Sequence, residues 1–293
     1  MDVPAGARGW RPLIRSLLRA RLALGGLLFL ALVFLVAVFA PWLAPRDPTA
    51  IDITARLKPP IWMEGGDPRF WLGSDALGRD ILSHLMYGAR ISLLVGLSSV
   101  LISGFLGVTL GLFSGYYRGK LDHLLMGVAD IQLAFPFILL AITLMAVAGP
   151  GLLNVILVLG VSRWVAYGRV VRGQVLAVRE REFVEAARAA GYRALPILFL
   201  HILPNVMAPV IVIGSFAVAG NIVSEAALSF LGLGIPPSIP TWGGMLAEGR
   251  AYIRLAWWMA TFPGLAIMGV VLGINLVGDW LRDYLDPRLR TEA

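Results

Sequence analysis

The chain has no cysteine in 293 residues, which excludes disulfides, thiolate catalysis and cysteine-ligated metals without identifying a compartment. Charge is also scarce: 15% of residues are charged, against roughly 25% in ordinary soluble domains. Histidine is nearly missing, and His84, His123 and His201 are scattered with no HExxH, so no metal site is expected. No Gly-x4-Gly-Lys-Ser/Thr occurs, so energy from ATP must come from a partner. No credible nucleophile and base set is present, which leaves the expected catalytic residues at none. No long internal repeat and no matched pair of broken helices marks the chain as a secondary carrier.

What the chain has in abundance is apolar residues, 58% of the total, with a mean hydropathy of +0.79. Crossing the hydrocarbon core takes about 20 mostly apolar residues. Six stretches qualify: Leu22 to Trp42, Ile91 to Tyr116, Leu124 to Val147, Leu152 to Val171, Val206 to Leu231 and Trp257 to Leu276. The fourth is interrupted by Arg163 and Arg169. Val38-Phe39-Ala40 faintly resembles a signal cleavage site, but the apolar run before it is too long for a signal peptide, and five further spans need insertion in any case. The expectation is an all-α integral membrane protein with six transmembrane helices.

The basic residues sort by loop, which reports topology rather than a nucleic-acid face. With the N-terminus in the cytoplasm, 16 of the 25 Lys and Arg fall on inner segments, eight fall outside and Arg163 lies within a span. Both termini are therefore expected inside. The layout that follows is a cytoplasmic tail over 1–21, a first span over 22–43, an outer loop over 44–89, a five-helix core over 90–281 and a cytoplasmic tail over 282–293. The end of the outer loop, "GSDALGRDILSHLMYGARISL", has helical spacing, with Ser74 or Asp75 as cap, and suggests an interfacial helix feeding the second span. Its Gly73 and Gly78 have phosphate-loop spacing, but Arg79-Asp80 replaces the required Lys-Ser/Thr.

Within the spans, Ser99, Ser103, Gly107, Gly111 and Gly115 recur every four residues, a face another helix can approach closely. Pro136 should kink the third span. Asp130, Arg163, Asn221 and Glu225 are the polar groups to explain. Intramembrane acids are costly, so they either line a wet pathway or pair, with Arg163 or with backbone, to hold helices together. Gly220 and Gly232 suit packing or kinks, and Trp257-Trp258 suit the outer membrane interface.

One inner loop, residues 179–205, contains "EAARAAGYRALPILFLHILPN". Phe183, Ala187 and Ala190 share a helical face, Glu180, Glu182 and Glu185 enrich the N-terminal turns, and Gly191 fits a left-handed helix end. Pro196 is tolerated in the first turn of a second helical run, which Pro204 closes before the fifth span. The result is a short helix with a shallow alanine surface, suited to insertion into another protein's groove.

This segment resembles the EAA motif of prokaryotic ABC importer permeases: Glu-Ala-Ala, three residues, Gly, nine residues, Ile, one residue, Leu-Pro. Glu185, Ala186, Ala187, Gly191, Leu203 and Pro204 fall at its positions, and His201 replaces the Ile, as in the "HILPN" form of the peptide branch. "LGSDALGRDILSHLMYGARISL", "SEAALSFLGLG", "WGGMLAEGR" and "GDWLRDYLDPRL" are similar to stretches of the second, C-type, permease subunit of the dipeptide, oligopeptide and nickel transporter family. The resemblance implies a type I ABC importer permease fold, MetI-like, and a multi-pass subunit of the cell inner membrane. It implies a homologous permease as heterodimer partner, two cytoplasmic ABC ATPases, an extracytoplasmic substrate-binding protein and surrounding membrane lipid, with no nucleic acid. It implies no directly bound cofactor, ATP-Mg residing on the ATPases, and a peptide cargo. A nickel or other small-solute permease, an ion-coupled carrier resting on Asp130 and Glu225, and an intramembrane enzyme are the alternatives.

Overall fold

The computed structural model describes residues 10–285, and among them regular structure is helical apart from one β-bridge between Ser74 and Asp80. Residues 1–9, with Arg8, and the tail from 286 on, with Arg288 and Arg290, lie outside the described residues. In chain order the helices are α1 (Trp10–Arg19), α2 (Arg21–Leu43), α3 (Ile81–Tyr117), α4 (Gly119–Leu133), α5 (Phe137–Ala148), α6 (Leu152–Ser162) and α7 (Trp164–Val178). There follow α8 (Glu182–Ala189), α9 (Ala194–Pro196), a π-helical turn over Ile197–Ile202, α10 (Leu203–Phe230), α11 (Trp242–Arg250) and α12 (Trp258–Leu285). Among the described residues five stretches are long and apolar enough to cross a membrane, or six if the bent pair α4 and α5 forms one span.

The bundle is organised around α3. Its small-residue face lies against α6 and α7, which is why those five positions carry almost no side chain. A Cβ placed on Gly111 would sit 2.5 Å from the Gly168 carbonyl oxygen, and one on Gly115 would sit 2.8 Å from Val175 Cβ. Ser99 and Ser103 are fully buried on the same face and donate to carbonyls one turn back in α3, so their hydroxyls need no outside partner. A second close crossing joins first and last spans, where a Cβ on Gly26 would lie 3.0 Å from the Gly273 carbonyl oxygen.

Several local expectations change. The interfacial helix is not separate: α3 runs unbroken from Ile81 to Tyr117. At 1.5 Å per residue that is about 55 Å, longer than the roughly 30 Å hydrocarbon core, so its first turns extend beyond the span. Its cap is Asp80, whose carboxylate accepts from Ser83 N at 2.8 Å and Ser83 Oγ at 2.6 Å. Ser74 and Asp75 are committed to the preceding turn, Asp75 Oδ1 accepting from Leu77 N and Arg79 N at 2.8 Å each. Pro136 does more than kink its helix: α4 and α5 meet at 92°. Proline lacks the donor an uninterrupted helix needs and drives the residue before it out of the α region.

Pro204 does not close a run. Residues from Ala194 to Phe230 form one continuous helical stretch, with Pro204 in the first turn of α10 just after the π turn. The widened turn relieves the clash a proline ring makes with the carbonyl one turn back, so the helix passes through. The fourth span likewise continues to Val178, broken only at Arg163, which separates α6 from α7. Trp258 is not an interface anchor; it is buried, and its indole donates to the Ser74 carbonyl at 3.0 Å.

That bond helps fasten the outer loop to the bundle, together with a buried charge cluster. The Arg79 guanidinium bridges the carboxylates of Asp75 and of Glu248 in α11. Burial pushes the Glu248 carboxyl up, the Arg79 cation pulls it down, and the neighbouring Asp75 carboxylate pushes it up again. Between the ordinary glutamate pKa and this raised one the folded state holds more proton than the unfolded, so this group lowers stability as pH rises. Arg79→Met should leave two facing carboxylates uncompensated. Removing one partner of a fully buried pair costs about 3 to 5 kcal/mol; because Glu248 keeps some water contact we expect roughly 2 kcal/mol. The melting temperature should fall most at neutral pH and recover as the pH is lowered and Glu248 takes a proton. A pH-independent loss would mean that Arg79 acts through packing.

Candidate functional site

The loop between α7 and α10 is built from a few local rules. Arg181 adopts an extended backbone and starts α8, with Glu182 and Glu185 in the first turn, where the helix dipole favours acids. The helix ends in two reversed hydrogen bonds: Gly191 N to the Arg188 carbonyl at 3.0 Å and Tyr192 N to the Ala187 carbonyl at 3.1 Å. This Schellman geometry requires the left-handed conformation at Gly191, whose φ is +81°.

One face of α8 is anchored and the other is free. Val184 and Ala187 are buried in a cluster with Val175 and Val178 of α7 and Ile197, Leu198, Ile202 and Val206 at the base of the fifth span. The face shared by Phe183, Ala187 and Ala190 is split: Ala187 is buried beside Val184, while Phe183 and Ala190 are exposed. Of the six motif residues, Glu185, Ala186, Gly191 and Pro204 are exposed, Leu203 is partly buried and Ala187 is a core contact. Glu185 makes no side-chain hydrogen bond or ion pair among the described residues. Sequence reasoning missed the fastening to α3, where the Arg179 guanidinium donates to the Tyr116 carbonyl and Arg188 lies over the Tyr116 ring at 5.6 Å. Neither contact has a spacing signal, since the residues are far apart in the chain.

The intramembrane polar residues do not converge on one another. Asp130 pairs with Arg169, not Arg163, and both are substantially exposed. Asn221 is fully buried and donates to Ser99 Oγ at 2.7 Å, tying α10 to the small face of α3. Glu225, one turn on, is also fully buried; its Oε1 accepts from Ser229 at 2.8 Å, and it faces Gly243 of α11. Arg163 donates to Ser224 Oγ at 2.8 Å and lies over the Phe137 ring at 4.1 Å, with no ion pair to an acid among the described residues. A Cβ on Gly220 would come within 3.3 Å of its Nη1, so that glycine makes room for the guanidinium. The pairing of Asp130 or Glu225 with Arg163 is thereby replaced by three separate arrangements.

Two family models match the chain: binding-protein-dependent transport system inner membrane component over residues 107–291, and the N-terminal TM domain of oligopeptide transport permease C over residues 10–60. The di/tripeptide transport system permease protein of Pseudomonas aeruginosa is 49% identical over 271 residues, 92% of this chain and 89% of that one. The dipeptide transport system permease protein of Escherichia coli is 46% identical, covering 92% of this chain and 89% of that one. The glutathione transport system permease protein of Pectobacterium atrosepticum is 42% identical, covering 96% and 92%. Among solved structures, an inward-facing form of the MetNI methionine ABC transporter aligns with a TM-score of 0.55 at 18% identity, over 69% of this chain and 96% of that one. That likeness extends to the fold alone.

Proposed function

The chain belongs to the binding-protein-dependent transport system inner membrane component family, and from that membership we propose the cargo, partners and coupling site of this ABC importer permease. The cargo is a short peptide. Its support is the naming of the relatives, di/tripeptide, dipeptide and glutathione permeases, each similar over nearly the whole chain. The chain forms half of a translocation pathway beside a homologous permease. Two cytoplasmic ATPases carry ATP-Mg, and an extracytoplasmic protein delivers the peptide.

The observation that carries the coupling reading is the two-faced α8. Its outer face presents Glu185, Ala186 and the Ala189 and Ala190 methyls with no partner of their own among the described residues, a shallow surface an ATPase groove can accept. Its inner face, Val184 and Ala187, is packed against both α7 and the base of the fifth span. A displacement of α8 thus passes into two spans, and α7 and α10 both pack on α3. Leu203 and Pro204 belong to the receiving end of this lever rather than to the docking face.

Reconstituted complexes in proteoliposomes test the reading. Dipeptide uptake should require ATP on the ATPase side and the binding protein on the other. Uptake driven by an ion gradient without ATPases, or uptake of nickel with no uptake of peptide, overturns it. Topology has its own check, with both termini and α8 inside and the 44–80 loop outside. Glu64→Cys and Lys120→Cys, both at exposed positions in this cysteine-free chain, supply the labels. An impermeant maleimide added outside should label the first variant and spare the second; equal labelling contradicts the arrangement.

A further inference from the structure

Two helix breaks meet at one cavity inside the membrane. The first is the 92° turn at Pro136, after which Phe137 begins α5; the second is Arg163, between α6 and α7. The cavity, about 510 Å³, lies between them and the middle of α10, with Phe137, Ser162, Arg163, Ala166, Tyr167 and Ile213 in its wall. Non-helical backbone at membrane depth is tolerated where protein buries it or where it lines a cavity. Two polar groups there, Arg163 Nε and Ser162 Oγ, have no hydrogen-bond partner among the described residues, and the buried Tyr167 hydroxyl has only the Ser103 hydroxyl beside it among them. Ser162 and Tyr167 are 7% and 2% exposed. Among the described residues the cation's hydrogen-bond partner is the Ser224 hydroxyl and its ring partner is Phe137. An arginine at this depth with no counter-ion among the described residues is costly unless something negative visits it.

We propose that this cavity is a transient binding station for the terminal carboxylate of the transported peptide. Arg163 supplies the charge, and Ser162 and Tyr167 supply hydroxyl donors. The inference rests on the peptide reading given above. Depth argues against a lipid phosphate as the anion. Arg163 lies near the middle of the Leu152–Val178 span, about 16 Å from one end and about 22 Å from the other at 1.5 Å per residue, well below the headgroups.

The test uses the whole importer in nanodiscs, with benzoylphenylalanine at Ile213 as a photo-crosslinker and radiolabelled alanyl-phenylalanine or its C-terminal amide as probe. The free dipeptide should be captured, and Arg163→Gln should reduce capture about tenfold, the scale of one charge-assisted hydrogen bond. Arg163→Lys should keep most of it, and the amide should be captured no better than the dipeptide is by the glutamine variant. Ala166→Glu leaves Arg163 in place but supplies a resident carboxylate on the cavity wall, so it should block capture to a similar degree while Ala166→Gln does not. This second pair decides the matter if Arg163→Gln fails to assemble. Equal capture of acid and amide, undiminished capture in Ala166→Glu, or crosslinking to phospholipid or to an acidic residue of the second permease in place of dipeptide overturns the station. Wild-type uptake of the dipeptide is measured in the same preparations. Uptake that does not depend on Arg163 removes the station and leaves peptide import standing, whereas no uptake by the wild type removes peptide import itself.

Discussion

Gly191→Val should leave the protein in the membrane, assembled with its sister permease, and deprive it of most ATP-dependent uptake. A Cβ on Gly191 would meet nothing within 4 Å, so the substitution causes no collision, and its whole effect is conformational. The φ of +81° places this residue in the left-handed region, where a residue with a Cβ is disfavoured by about 1 to 2 kcal/mol, and a β-branched one more strongly. A shift of one or two kcal/mol changes the ratio of competent to displaced loop roughly 5- to 30-fold, so uptake should fall by up to that factor. Asparagine tolerates the left-handed conformation, so Gly191→Asn should retain most activity, a contrast that separates backbone geometry from any need for a bare surface. Glu185→Lys attacks the other half of the arrangement. It disturbs an exposed side chain and costs the helix about 0.3 to 1 kcal/mol through the dipole, too little to unfold α8 against its buried Val184 and Ala187 anchors. Its uptake should nevertheless be lost, with the ATPases no longer co-purifying. Wild-type uptake and intact ATPase binding in both Gly191→Val and Glu185→Lys would make this loop an ordinary turn.

Hydropathy made the spans legible because the bilayer demands long apolar runs whatever the tertiary structure. It could not say where those runs bend, since lipid and protein interiors look alike on that scale. The 92° break at Pro136 and the uninterrupted passage through Pro204 show the ambiguity, as both prolines send the same local signal. What differs is the π turn before Pro204, a backbone adjustment with no residue signature of its own. The α8 loop was readable because its rules are local: acids in the first turn and glycine at the left-handed position. Which face of α8 is buried was not legible, because alanines lie on both sides and Val184 alone marks the inner one. The charge cluster joining Arg79 to Glu248, and the company Arg163 keeps, depend on helices that meet only in three dimensions.

The small-residue face of α3 supports a second large expected effect, one that concerns assembly rather than coupling. Gly107→Ala combined with Gly111→Ala adds two methyl groups, each aimed at the backbone of α7. At Gly111 the nearest atoms would be the Gly168 carbonyl oxygen at 2.5 Å and Val171 Cβ at 2.9 Å, closer than real Cβ contacts come; at Gly107 the Trp164 carbonyl and Tyr167 Cβ are in the way. Carbonyls cannot rotate aside as a flexible side chain can, so the helices must separate. Retreat is obstructed on the other side, where a Cβ on Gly96 would already be 2.9 Å from Ile222 of α10. Overpacking costs typically 1 to 3 kcal/mol per site, so the pair should lose about 2 to 6 kcal/mol, against marginal stabilities of about 5 to 15 kcal/mol. Gly104 on the same helix provides the control, because a Cβ there would meet only Tyr167 Cε1 at 3.9 Å, an ordinary contact. Gly104→Ala should be neutral or stabilise the helix by up to about 1 kcal/mol, since alanine is the better helix former. Size-exclusion chromatography of the purified complex and its thermal melting would decide between them. The double variant should aggregate or melt far below the wild type, while Gly104→Ala elutes and melts normally. Matching behaviour of the two would mean that the glycines serve helix flexibility rather than close approach. The backbone contact between α3 and α7, one of the two routes by which a movement of α8 reaches α3, would then have to be relocated.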